Sequence, residues 1–216
     1  MKVVVAGGHG KIARILLRLL ARRGDDGVGI IRNPDQAADL TAVGATPVVL
    51  DLEHTRLDDL ADSLAGADAV VFAAGAGPGS GVQRKYTVDQ SAAELCAAAA
   101  ESAGVLRFLQ VSAMGTDHPP RGDDVFSHYL RAKSAAEEDL RNSGLDYVIL
   151  RPGRLTDDPG TGRVALARHV EPGSVTRADV AAVVLGLLDR PTLSRRTLEL
   201  VGGETPVAAA LNLLEP

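Results

Sequence analysis

Residues 1–24 read MKVVVAGGHGKIARILLRLLARRG. A short run of small and β-branched residues, Lys2–Ala6, enters three glycines, Gly7, Gly8 and Gly10, within four positions. From Lys11 the apolar residues recur at helical spacing, with Ile12, Ile15, Leu16, Leu19 and Leu20 on one stripe and Arg14, Arg18 and Arg22 on another. The stretch therefore predicts a strand, a turn bare of side chains and an amphipathic helix. Glycine permits φ > 0 and close approach of other groups to the backbone. The spacings G-x-x-G-x-x-A and G-x-G-x-x-A both hold up to Ala13. A pyrophosphate can lie against such a turn, drawn by the unpaired N–H groups and the dipole of the following helix. Gly7, Gly10, Lys11 and Ile12 are thus candidates to hold a dinucleotide, against the alternative of a Gly-rich turn with no ligand.

Working outward, apolar runs alternate with longer amphipathic stretches, the pattern of βαβ units and a parallel sheet. Strands are expected at Lys2–Ala6, Val28–Ile31, Pro47–Leu50, Ala69–Ala73, Leu106–Val111 and Tyr147–Leu150. Helices are expected at Lys11–Arg22, Asp35–Val43, Leu57–Leu64, Val82–Ala103 and Phe126–Asn142. Beyond Leu150, RPGRLTDDPGTGR (residues 151–163) is turn-rich and reads as a loop. Thr176 and Asp179 fit a capping pattern for a helix from about Arg177 to Arg190, followed by a last strand, Thr197–Val201, and a helix, Val207–Leu214. With no internal repeat or linker, residues 1–216 read as one domain.

Composition narrows the partners. The chain has 216 residues, is 45% hydrophobic and carries a net charge of −5, which argues against a nucleic-acid binder relying on bulk positive charge. The single cysteine, Cys96, reads as a buried, inert thiol, and no Cys or His spacing suggests a metal. The glycines at 7–10 interrupt the first apolar run too early for a signal peptide, and no uncharged apolar segment is long enough to span a membrane. A soluble cytoplasmic protein is expected, acting on a small molecule, with a homo-oligomer or a regulatory protein partner also open.

The end of the second strand bears on the choice of dinucleotide. A carboxylate there would accept the ribose hydroxyls of NAD. Here Ile31 is followed by Arg32, Asn33 and Pro34, with no acid until Asp35. Arg32 can form a fork with a 2′-phosphate, helped by Lys11 and Arg14, so NADP is preferred over NAD. Arg32 as a solvated loop charge is the alternative. After the third strand, Asp51 and Leu52 sit where the adenine would lie; Asp51 could receive its amino group or could cap the strand end. Ala73, Ala74 and Gly75 after the fourth strand are small enough for a cofactor to lie flat beside them.

Taken together, AGGHGKIA, IIRNP, VVLDLEH, VVFAAGAG, YTVDQ, RFLQVSAMG, HYLRAKSAAEEDLRNSGLDYVILRPGRL and SVTRADVA resemble the short-chain dehydrogenase/reductase superfamily along nearly the whole chain. The likeness is greatest to its atypical NAD(P)H-binding branch, which includes nitrogen-metabolite-repression-type regulators, flavin reductases and epimerase/dehydratase-like members. The resemblance implies a Rossmann-like doubly wound parallel sheet, with residues 151–216 adding a substrate-side loop, a helix and an edge strand. It implies that Arg151–Leu155, and so Pro152, Gly153 and Leu155, closes over the nicotinamide end.

It also implies a catalytic set of Ser112 after the fifth strand and Tyr129 and Lys133 on the next helix. Residues four apart share a helix face, so Lys133 is expected to lower the pKa of the Tyr129 phenol, normally near 10. Ser112 would bond the same substrate oxygen, and Lys133 would also hold the nicotinamide ribose. Asp89 stands where catalytic relatives carry an asparagine, and it either pairs with Lys133 or caps and solvates its helix. The substrate space is expected between Ala76–Arg84, Met114–Phe126 and the loop after Pro152. His118 and His128 are weaker acid–base candidates, since a lone loop histidine is usually solvated.

Three functions fit these readings. The first is an NADP-dependent oxidoreductase acting on a small carbonyl, alcohol, quinone or flavin-like substrate. The second is a non-catalytic NADP(H) sensor or regulator. The third, an epimerase or dehydratase, ranks lower because few residues remain for a sugar-nucleotide domain.

Overall fold

The β-branched segments and the amphipathic stretches assemble into a three-layer α/β/α sandwich. The computed structural model describes residues 1–77 and 79–215. Its strands are β1 (Lys2–Ala6), β2 (Asp26–Ile31), β3 (Thr46–Val49), β4 (Ala69–Phe72), β5 (Arg107–Val111), β6 (Asp146–Pro152), β7 (Arg154–Thr156), β8 (Arg163–Ala167), β9 (Ser174–Thr176), β10 (Arg196–Gly202) and β11 (Thr205–Pro206). The helices are α1 (Lys11–Arg23), α2 (Ala37–Ala42), α3 (Leu57–Leu64), α4 (Val82–Arg84), α5 (Ala92–Ser102), α6 (Val125–Asn142), α7 (Arg177–Leu188) and α8 (Val207–Asn212).

Nine strands form one sheet in the order β11-β8-β10-β6-β5-β4-β1-β2-β3, parallel from β3 to β10, with β8 antiparallel to β10 and β11 antiparallel to β8 at one edge. The chain runs outward from β1 through β2 to β3, then returns to lay β4 on the other side of β1. That reversal opens a crevice at the C-terminal ends of β1 and β4, where open α/β sheets bind ligands.

Alternate residues of β1 enter opposite cores: Val3 and Val5 join one cluster with α1 and α7, while Val4 and Ala6 join the other with α3, α5 and α6. Both faces being covered explains the near-continuous apolar strands. The helix α1 buries Ala13, Leu16, Leu17 and Leu20, so its inner seam is turned slightly from the expected stripe, with Ile12, Ile15 and Leu19 only partly buried. The cause lies in β2. Gly27 and Gly29 leave notches filled by Leu17 and Leu40, and a Cβ on Gly29 would lie 2.4 Å from a Leu40 methyl.

Several elements differ from expectation. The stretch 151–163 is not simply a loop: β7 pairs with β9 in a separate two-stranded sheet, and β8 begins at Arg163. Strand β10 lies inside the main sheet between β6 and β8, so it is not the edge strand expected there. The helix expected over 82–103 is broken by a π-helical turn, Lys85–Ser91, that brings Lys85, Val88 and Asp89 inside. The cap before α7 forms as read, the Asp179 N–H donating to Thr176 Oγ1 at 3.0 Å. Cys96 is buried, and burial pushes its thiol up to about 12. Among the described residues, no helix is long and apolar enough to cross a membrane.

Candidate active site

The turn after β1 is built by contact as much as by hydrogen bonding. Gly7 takes φ +80°, and a Cβ there would lie 2.6 Å from Ala74 Cα at the end of β4. A Cβ on Gly8 would meet Gly29 Cα at 2.7 Å. The glycines thus let the turn sink between β2 and β4, and the Gly8 N–H donates to the Ile30 carbonyl at 2.8 Å. Gly10, exposed, is the N-cap of α1. No side chain caps that helix and no acid lies in its first turn, so its leading N–H groups are open to an anion.

Two cavities meet at this point. The first, about 340 Å³, lies between the Gly7–Gly10 turn, Arg32 at the end of β2, Asp51 and Leu52 after β3, and Ala73–Gly75 after β4. The second, about 510 Å³, shares the Ala73–Gly75 wall and continues past Ile12 and Leu155 to Ser112, Tyr129 and Lys133. The segments expected to line the substrate space contribute unequally. Gly77, Gly79, Ser80, Val125, Phe126 and Leu155 line the second cavity, whereas Pro78 lies outside the described residues.

Some expected cofactor contacts are not among the residues lining either cavity. Lys11 Nζ bonds Asp157 at 2.6 Å, and Arg177 joins the same carboxylate at 2.8 Å. Asn33 Oδ1 accepts the Asp35 N–H, capping a 3-10 turn at Pro34–Gln36. Pro152 is buried in β6, and Gly153 is required by packing, since a Cβ there would sit 2.3 Å from the Gly173 carbonyl oxygen. Arg14, expected to help Arg32, faces Asp39 at 3.8 Å.

At the Arg32 end of the first cavity, sequence reasoning missed Glu53. Its carboxylate, largely buried, accepts from Arg84 at 2.7 Å, Arg32 at 3.3 Å and Thr87 at 2.6 Å. The Arg84 bond in particular holds the Glu53 carboxyl below its usual range. Two guanidiniums, Arg32 and Arg84, and two carboxylates, Glu53 and Asp51, therefore meet at this corner. Asp51 caps its own turn, accepting the Glu53 N–H at 3.0 Å, and also faces His54 Nδ1 at 3.0 Å.

In the second cavity, Asp89 and Lys133 are both buried and stand 3.4 Å apart, which settles Asp89 as the partner of Lys133 and not a solvated helix residue. Asp89 also accepts the Ala76 N–H at 3.3 Å. The Lys133 ammonium is 6.0 Å from the Tyr129 ring centre. The expected lowering of the phenol's pKa does not occur: burial, with the Asp89 and Glu137 carboxylates, raises it well above its ordinary value. Asp89 offsets the Lys133 charge that was to do the lowering. Among the described residues the Tyr129 hydroxyl has no hydrogen-bond partner, so it is a neutral, free proton donor.

Ser112 is held in an unforeseen network. Its hydroxyl donates to Glu137 Oε1 at 2.5 Å, as does that of Thr116 at 2.9 Å. Glu137 is fully buried and bonds Arg151 Nη2 at 2.6 Å and Arg141 Nη2 at 2.7 Å. Arg151, also buried, forks onto Asp117 at 2.6 and 2.7 Å. The available signal was the spacing of Tyr129, Lys133 and Glu137, three residues at steps of four on α6. Asp117, His169 and Glu199 place one ligand atom each within 4.8 Å of one another. Asp117 is already committed to Arg151, and Glu199 accepts the Val170 N–H, so the trio belongs to the charge network. His118 is exposed and His128 bonds Tyr86 at 2.9 Å, and neither is among the residues lining the cavities.

Comparison with known proteins places this geometry. Residues 7–191 match a family described as NAD(P)H-binding. YhfK of Bacillus subtilis, an uncharacterized sugar epimerase, is 36% identical over 215 residues, covering 99% of this chain and all of that one. A solved Bacillus halodurans protein that carries the name of an NAD-dependent epimerase/dehydratase superposes with a TM-score of 0.92 at 39% identity, over 99% of this chain and 100% of its own. ChuY of Escherichia coli O157:H7, an anaerobilin reductase, gives a TM-score of 0.79 at 27% identity, over 94% and 97% of the two chains.

Proposed function

Because the chain belongs to the NAD(P)H-binding family, we propose that it is an NADP(H)-dependent oxidoreductase reducing a small carbonyl, quinone or flavin-like acceptor. The observation that carries this is the shared wall of the two cavities. A dinucleotide laid over the Gly7–Gly10 turn would end at Ala73–Gly75, beside Tyr129 and Lys133. The uncapped start of α1 and the close-packed Gly7 suit a diphosphate. Arg32 and Arg84, which share Glu53, are the guanidiniums that could fork onto a 2′-phosphate.

A bound reduced nicotinamide would supply the hydride. The Tyr129 phenol is protonated at neutral pH and its hydroxyl has no internal partner among the described residues, so it can give a proton to the oxygen of an acceptor being reduced, although its raised pKa makes it a weaker acid than a free phenol. Ser112, spending its proton on Glu137, can accept from a substrate hydroxyl but cannot donate to a carbonyl. Lys133, balanced by Asp89, would hold the cofactor ribose. The walls from Ile12, Val111, Val125, Phe126 and Leu155 favour an apolar acceptor over a sugar, which ranks the epimerase reading lower.

The sensor reading is favoured by one feature: Ser112 and Lys133 are both already engaged internally. A screen of carbonyls, quinones and flavins for NADPH oxidation separates the two. The oxidoreductase reading expects turnover; tight NADPH binding with no turnover across the screen would favour the sensor.

A further inference from the structure

The second cavity holds a cation that neither the fold nor the proposed chemistry uses. Lys85 opens the π-helical turn Lys85–Ser91, a local widening that often marks functional positions. It is 7% exposed and lines the cavity. Its ammonium donates to the Gly77 carbonyl at 3.1 Å and lies 5.7 Å from the centre of the Tyr129 ring. An ammonium has three N–H donors, and only this one bond is formed among the described residues. No carboxylate lies within ion-pair distance of it there, for Asp89 faces Lys133 and Glu53 faces Arg32 and Arg84.

Burying a charge is costly unless it is paired. Lys133 and Asp89 cancel, so Lys85 leaves this pocket with an uncompensated positive charge. Around it stand the Phe126 and Tyr129 rings, with centres 6.0 Å apart and planes inclined by 29°, Phe126 at the exposed mouth. A flat body fits against those rings, and an anionic group fits the ammonium.

We propose that Lys85 anchors a carboxylate on the acceptor, which is therefore an aromatic or conjugated carboxylic acid. This rests on the oxidoreductase reading of the same site. The test uses a matched probe pair, 2-naphthoate and its uncharged amide, 2-naphthamide, titrated calorimetrically into the full-length chain. Wild type should bind the carboxylate about tenfold or more tightly than the amide, as a charge-assisted bond implies. Lys85→Met should erase that preference, and Lys85→Arg, which keeps the charge, should retain it. Equal binding of the two probes by wild type, binding of neither, or a preference that survives Lys85→Met would overturn the assignment. NADPH titration of the same wild-type protein keeps the two readings apart. Loss of NADPH binding with the probe preference intact retires the dinucleotide reading alone, while NADPH binding without the preference retires Lys85 alone.

Discussion

Replacing Gly7 with alanine isolates what the first turn requires. Two costs combine at that position. A non-glycine residue at φ +80° pays roughly 1–2 kcal/mol for the left-handed conformation. The added Cβ would also lie 2.6 Å from Ala74 Cα and 2.7 Å from its nitrogen, backbone atoms that cannot swing aside as a side-chain end can. Overpacking of that kind costs about 1–3 kcal/mol. The sum, roughly 2–5 kcal/mol, corresponds in a domain of this size to a melting temperature lower by roughly 4–20 °C. Gly66→Ala is the control, since Gly66 has φ +70° with nothing within 4 Å of the added Cβ. It should show only the conformational part. Thermal unfolding of the two variants beside wild type measures the difference, and NADPH titration should show weakened binding in Gly7→Ala alone. Equal melting temperatures for the two variants, with NADPH affinity intact, would refute the close-approach account of the turn.

Other expectations concern the charged groups. Arg32→Ala should weaken NADPH binding about tenfold or more, the worth of a charge-assisted bond, and leave NADH binding unchanged; parallel titrations decide, and equal losses for both nucleotides would remove the phosphate role. Tyr129→Phe should cut turnover by roughly 10²–10⁴-fold with NADPH affinity retained. Because burial and two carboxylates hold the phenol above its usual value of about 10, the wild-type reduction rate should not fall through Tyr129 ionisation as pH approaches about 9. The Arg151 guanidinium holds the Asp117 carboxyl below its ordinary value. A carboxyl lowered on folding contributes stability above its unfolded pKa of about 3.9 and loses it as pH falls through the folded value. Wild type should therefore lose stability more steeply than Asp117→Asn below about pH 4, and coincident acid limbs in denaturant titrations would contradict this.

Much of the fold was legible because its signals are local. The period of Lys11–Arg22, the β-branched runs and the Thr176–Asp179 cap each announce an element within a few residues. The misses have physical causes. Strand β8 is a short segment with alternating burial, next to the two-residue edge strand β11 and set among turn formers, so its apolar signal is weak. The π turn at Lys85–Ser91 buries Lys85 and Asp89 beside Val88, polar residues at inward positions for which the apolar pattern gives no sign. In the site, the positions lining the crevice were readable from their places after β1, β2 and β4. The pairings were not. Glu53 meets Arg84 across 31 residues and Arg151 meets Asp117 across 34, and only the folded chain brings such partners together. The chemistry changed likewise: burial, with the Asp89 and Glu137 carboxylates, reverses the expected effect on Tyr129, and Glu137 accepts the Ser112 hydroxyl hydrogen bond.

The proposed oxidoreductase requires a nicotinamide dinucleotide across the ends of β1 and β4 with its diphosphate on the start of α1. An amide-resolved NMR titration of the labelled chain with NADPH reports on it residue by residue. The largest shifts should fall on Gly7–Ile12, on Arg32 and on Ala73–Gly75. Shifts confined to other surfaces, or none at saturating NADPH, would contradict it.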